Sequence, residues 1–136
     1  MLYLTTNPYL MSKRLLCIDD NHIDIAIIKN HQAKSNTFED VKYYMDAKSA
    51  IKFLKDNMHK AAELPDVIFL DLYMESFNGW DFLDEYNQIS DKLAKEITIH
   101  IVSFSILPRD ISRSKSYPCV SSYFPKPMTQ KAFQVL

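Results

Sequence analysis

Val67-Ile68-Phe69-Leu70-Asp71 follows a break at Leu64-Pro65-Asp66 and consists of four apolar residues closed by a carboxylate. A run so short and so uniformly apolar reads as a strand buried on both faces, the place of a central strand in a parallel sheet. Working outward, Leu15-Leu16-Cys17-Ile18 is a similar run ending at Asp19-Asp20-Asn21, and Val41 to Met45 is rich in β-formers. Ile97 to Val102 ends at Ser103, and Val120 to Phe124 ends at Pro125-Lys126-Pro127. Helical patterns separate these runs. Ile23, Ile27 and Ile28 recur at helical spacing, with Asp24, Lys29 and Asn30 on other faces. Ala50, Ile51, Leu54 and Met58 form one stripe of a second helix over 47–58, with Lys48, Lys52, Lys55 and Asp56 outward. A polar turn through Ser76, Asn78 and Gly79 leads to a third stripe of Trp80, Phe82, Leu83 and Tyr86. Pro108-Arg109-Asp110 opens a helix weakened by Ser112, Ser114 and Ser116, and Thr129 to Leu136 begins a short last one. Five strands alternating with helices predict an α/β fold: a doubly wound parallel sheet with helices on both faces.

The composition narrows the chemistry. A chain of 136 residues with 47% apolar and 24% charged residues can bury the core of one domain. Gly79 is its single glycine, so neither a dinucleotide-binding G-x-G-x-x-G nor a P-loop can be written. A formal net charge of -1 offers no basic excess to a phosphate backbone, so direct nucleic-acid binding is not expected. The apolar runs are too short to span a bilayer, and Asn7-Pro8 interrupts an N-terminus that lacks a basic signal-peptide region. Cys17 and Cys119 are far apart, without C-x-x-C spacing, which argues against a disulfide framework or a zinc site. The expectation is an N-terminal extension over residues 1–12 and one cytoplasmic domain over 13–136, with no output domain behind it and no membrane partner.

Ligands of open parallel sheets bind beyond the carboxyl ends of the strands. The residues there are Asp19, Asp20, Asp71, Ser103 and Lys126. Singly, each has an ordinary reading as a helix cap, a turn residue or a solvated loop charge. Together, three carboxylates at one sheet edge repel one another unless a cation or proton intervenes. An oxygen-only ligand set without His or Cys favours a hard cation, and Mg²⁺ tolerates few protein ligands. His22, His31, His59 and His100 lack metal spacing, and His22 reads as a solvated residue at a helix start. Trp80, Phe82 and Tyr86 read as core.

In these fragments the chain resembles the receiver domain of two-component response regulators, over nearly its whole length. Leu15-Leu16-Cys17-Ile18-Asp19-Asp20-Asn21 is similar to the family's first strand and acidic pair. Asp66 to Met74, followed by Asn78-Gly79, is similar to its phosphoacceptor strand and loop. Ile101-Val102-Ser103 matches the hydroxyl position, and Tyr123-Phe124-Pro125-Lys126-Pro127 the switch aromatic and Lys-Pro motif. The resemblance implies a flavodoxin-like sheet of order 2-1-3-4-5. It makes Asp71 the phosphoacceptor, taking a phosphoryl group from a sensor histidine kinase, a phosphotransfer protein or a small phosphodonor. Asp20, Asp71 and the Tyr73 backbone carbonyl would coordinate Mg²⁺, with Asp19 binding directly or through water. Lys126 would neutralise the phosphoryl group, and Ser103 and Tyr123 would form the switch that alters contacts with a downstream protein. The sequence departs from the family pattern at Glu75, where a Pro is usual, and at Phe104, where the residue is usually small; a bulky ring there is expected to narrow access to Asp71. A bacterial phosphorelay is the leading reading. The alternatives are a receiver-like scaffold that works without phosphorylation and a hydrolase or flavin module on the same sheet; against the hydrolase, the D-x-D phosphatase motif is absent at Asp71-Leu72-Tyr73.

Overall fold

The computed structural model describes residues 12–136, so the expected extension lies, apart from Ser12, outside the described residues. The strands are β1 (Arg14–Ile18), β2 (Asp40–Tyr44), β3 (Val67–Leu70), β4 (Thr98–Ser103) and β5 (Val120–Pro125). Between them run helices α1 (His22–Ser35), α2 (Ala47–Asp56), α3 (Gly79–Ile89) and α4 (Pro108–Ser114), and α5 (Gln130–Gln134) follows. A 3₁₀ turn, Ser90–Lys92, extends α3. The sheet order is β2-β1-β3-β4-β5 and every pair is parallel. This is the flavodoxin-like, doubly wound arrangement expected of the sequence.

The period-2 alternation of strand side chains sorts the core into two layers. Leu16, Ile18, Ile68, Leu70, Ile99 and Ile101 pack with Ala50, Ile51 and Leu54 of α2 and with Phe82, Leu83 and Tyr86 of α3. The odd positions Leu15, Cys17, Val67 and Phe69, with Val102, pack with Ile28 of α1 and Phe133 of α5. Phe38, Phe69 and Phe133 meet edge-on there, with centroids 5.4–6.1 Å apart. β3 is buried at all four positions, as a strand flanked on both sides and covered on both faces must be. Each fully buried Leu or Ile contributes about 1.5–3 kcal/mol, so these two layers hold the strand ends in register.

Helix α1 corrects the stripe expected from its isoleucines. Ile23 is 71% exposed, and Ile27 is half-buried; the inward face is Asp24, Ile25, Ile28 and His31. Two of those four are polar because both reach groups beyond β5. Asp24 reaches the Lys126 ammonium, and His31 bonds the Met128 carbonyl at 2.6 Å and the Gln130 side chain at 2.8 Å. The second stripe holds, although Met58 lies beyond the end of α2 and is half-buried. Trp80, Phe82 and Tyr86 are core, with the Arg113 guanidinium over the Trp80 ring. Cys17 is a buried free thiol, as expected.

Candidate functional site

Two backbone bonds carry the sheet one residue past its strands. Asp19 N–H donates to the Tyr44 carbonyl and Asp71 N–H to the Ile18 carbonyl, both at 3.0 Å. The two acids are thereby fixed at the sheet's carboxyl edge, each 6% exposed, while Asp20 faces solvent. Capping of α1 falls to Asn21, whose side chain accepts from Ile23 and Asp24 N–H. Asp19 accepts from Asn21 N–H at 3.0 Å through Oδ1, which leaves its Oδ2 and the whole Asp20 carboxylate to other partners. Asp19, Asp20 and Asp71 each present an oxygen within 4.8 Å of the others.

Gly79 sets where Asp71 sits. Its N–H donates to the Leu72 carbonyl at 2.9 Å, and a Cβ at this position would overlap the Asp71 carbonyl oxygen and lie 2.7 Å from the Leu72 Cα. The start of α3 therefore presses directly on the backbone of the candidate nucleophile, a contact only glycine permits. Asn78 and Asp81 close that helix start with a reciprocal capping box.

Lys126 directly follows β5 and precedes a cis bond to Pro127, and its N–H donates to the Ser103 carbonyl at 2.9 Å. Its ammonium lies 2.8 Å from Asp19 Oδ2, 2.9 Å from Asp24 Oδ2 and 3.4 Å from Asp71 Oδ1, with the side chain 3% exposed. Burial alone would lower the Lys126 pKa, but the hydrogen bonds to Asp19 and Asp24 and the Asp71 charge hold it above the usual value. Burial raises Asp19, against the pull of Lys126. Burial and the Asp19 charge together push Asp71 up to about 6, with Lys126 opposing. Four carboxylates (Asp19, Asp20, Asp24, Asp71) against one ammonium leave a formal excess of three negative charges. That excess, in an all-oxygen donor set, fits a hard divalent cation.

The other expected residues surround this centre. Ser103 is buried and its Oγ accepts from Ser105 N–H at 3.1 Å. With Asp20, Asp24, Asp71, Tyr73, Phe104 and Lys126 it lines an open cleft of about 130 Å³. Phe104 is 66% exposed, with Lys126 Nζ 5.1 Å from its ring centroid. Tyr73 is exposed too, and its hydroxyl donates to Asp110 Oδ2 at 2.7 Å. Ser105 Oγ donates to the same oxygen, so Asp110 ties the loop after β3 to the loop after β4. Tyr123 is half-buried and donates to the Ser105 carbonyl at 2.8 Å. Glu75 is exposed, next to Ser76 in the left-handed region (φ 61°), and is not among the residues lining the cleft. His22 is exposed at the start of α1, and the four histidines do not gather.

Sequence reasoning missed three contributors. Asp24 falls off the expected apolar stripe of α1, yet it is buried against Lys126. Gly79 read as a residue of a turn and loop, with no hint of its contact with the Asp71 backbone, although its standing as the single glycine was a signal. Asp110 read as a helix opener, and no local pattern announces its bonds to Tyr73 and Ser105.

No family model and no curated protein matches the chain. Solved structures do. A two-component response regulator from Cytophaga hutchinsonii superposes with a TM-score of 0.81 at 24% identity, covering 92% of this chain and 94% of that one. The phosphorylated cyanobacterial phytochrome response regulator RcpA gives 0.73 at 27% identity, over 92% and 89%. The Mn²⁺-bound form of the response regulator Rcp1 gives 0.71 at 23% identity, over 90% and 88%. Among the described residues no helix is long and apolar enough to cross a membrane.

Proposed function

We propose that this chain, a receiver domain by its fold and by its similarity to response regulators, accepts a phosphoryl group on Asp71 and relays a signal through changed protein contacts. The observation that carries the reading is the clustering of Asp19, Asp20 and Asp71 within 4.8 Å, with the Lys126 ammonium buried against two of them. An Asp71 carboxylate oxygen attacks phosphorus on a phosphohistidine of a kinase or phosphotransfer protein. The O–P bond forms as the P–N bond breaks, and the imidazole nitrogen keeps the electron pair. With acetyl phosphate the leaving group is acetate. Asp20, Asp71 and the Tyr73 carbonyl, with Asp19 directly or through water, would hold Mg²⁺, which supplies charge neutralisation for the transferring oxygens. Lys126 contributes the remaining positive charge, and Phe104 restricts water at the mouth of the cleft.

The switch follows from bonds already formed around Ser105. Ser103 Oγ accepts from Ser105 N–H, and Tyr123 donates to the Ser105 carbonyl. When the Ser103 hydroxyl turns to a phosphoryl oxygen, Ser105 loses one tether and Tyr123 is freed to rotate inward. The loop before α4 carries the exposed Phe104, Ile106 and Leu107, so its displacement changes the apolar surface offered to a partner.

Incubation with acetyl phosphate, with and without Mg²⁺, followed by intact mass, tests this. One phosphoryl group gained only with Mg²⁺, and not by Asp71→Asn, is the expected result. Failure of both acetyl phosphate and beryllofluoride to load the protein would favour a scaffold that works without phosphorylation.

A further inference from the structure

We infer that Asp24 is a positioning residue for Lys126: it draws the ammonium toward α1 and away from Asp71, leaving the acidic cluster more open to a divalent cation. The inference rests on the receiver reading and adds to it a residue on α1 that tunes the site. An ammonium has three protons to donate. Here three carboxylates compete for them, and the two short contacts go to Asp19 and Asp24 while Asp71 is left at 3.4 Å. Asp24 is 8% exposed, and it lines the cleft beside Asp71. It therefore shares the charge that Asp71, once phosphorylated, needs for its new oxygens. Asp24 is not needed to place the loop itself. The Lys126 N–H bond to Ser103 and the His31 bond to the Met128 carbonyl anchor that segment on either side of the side chain.

Two consequences separate this role from a merely structural one. Neutralising Asp24 removes a negative charge near the cation site and frees Lys126 to pair more closely with Asp19 and Asp71, the same oxygens a cation uses. Both effects weaken Mg²⁺ binding. The freed ammonium is then available to an incoming phosphoryl group, so phosphorylation at saturating Mg²⁺ becomes faster.

The test compares wild type with Asp24→Asn, which removes the charge that holds the Lys126 ammonium while keeping the side-chain volume. Mg²⁺ affinity is measured by calorimetry without any phosphodonor, the rate with acetyl phosphate at saturating Mg²⁺ by intact mass, and the melting temperature without metal. The expected result is a Mg²⁺ Kd raised about threefold to tenfold, the scale set by one nearby, partly screened charge, with a saturated rate that rises. In a Lys126→Gln background the rate gain must vanish. A variant whose Mg²⁺ Kd stays within twofold of wild type, or whose saturated rate falls with its melting temperature, overturns the role of Asp24. A wild type that binds no Mg²⁺ and takes up no phosphoryl group instead overturns the receiver reading beneath it.

Discussion

Replacing Asp71 by Asn is expected to make the metal-free protein more stable at neutral pH. Asp71 is 6% exposed, and burial with the neighbouring Asp19 charge raises its carboxyl from 3.8 to about 6. Between those values the folded state holds a proton that the unfolded chain has released. Stability therefore falls as pH rises through this window, and the full cost of the ionised carboxylate is present above it. At 1.36 kcal/mol per pH unit, a rise of about two units corresponds to about 3 kcal/mol. Lys126 loses little in the variant, since Asp71 is its longest contact and Asp19 and Asp24 remain. Urea unfolding of both proteins at a series of pH values in EDTA is the assay. With a slope of about 1–3 kcal/mol/M, the midpoint of Asp71→Asn should lie about 1 M or more above wild type at pH 7.5. The two midpoints should converge as the pH falls below 3.8, where the wild-type carboxyl is protonated in both states. On the proposed reading saturating Mg²⁺ should narrow the gap at pH 7.5, since a cation held through Asp71 would stabilise the folded wild type. A variant less stable than wild type at pH 7.5, or a gap that does not change with pH, would refute the reasoning.

Lys126→Met should destabilise the metal-free protein by about 3–5 kcal/mol, since it strips the buried Asp19 and Asp24 of their cation; chemical denaturation in EDTA reads this. Gly79→Ala forces a methyl group into the Asp71 backbone and should cost more than about 2 kcal/mol by the same measurement while weakening Mg²⁺ binding. Tyr73→Phe deletes the hydroxyl bond to Asp110 and is expected to cost about 1 kcal/mol in urea unfolding. Phe104→Ala, at a largely exposed ring, should change stability by less than about 0.5 kcal/mol but speed loss of the phosphoryl group, followed by the decay of the phosphorylated mass. An unchanged decay would remove Phe104 from the role of restricting access.

The strand and helix alternation is written in the linear sequence, and with it the sheet edge where the candidate site residues gather. Short apolar runs closed by Asp19 and Asp71 carry their own signal, because a strand covered on both faces is built mainly of apolar residues until it leaves the core; β4 departs from this at His100 and Ser103, both buried within the strand. Tertiary structure alone decided how the charges are shared. Asp24 and Lys126 are 102 residues apart, and their ion pair exists only because α1 packs beside the segment after β5. The same packing buries His31 and turns Ile23 out, against the apolar spacing of that helix. Gly79 is similar: the sequence places it in a turn, but only the approach of α3 to the Asp71 backbone shows why no side chain fits. Hydrophobic periodicity records which face of an element avoids water. It is silent on a buried ion pair, whose desolvation is offset only by a partner brought from elsewhere in the chain.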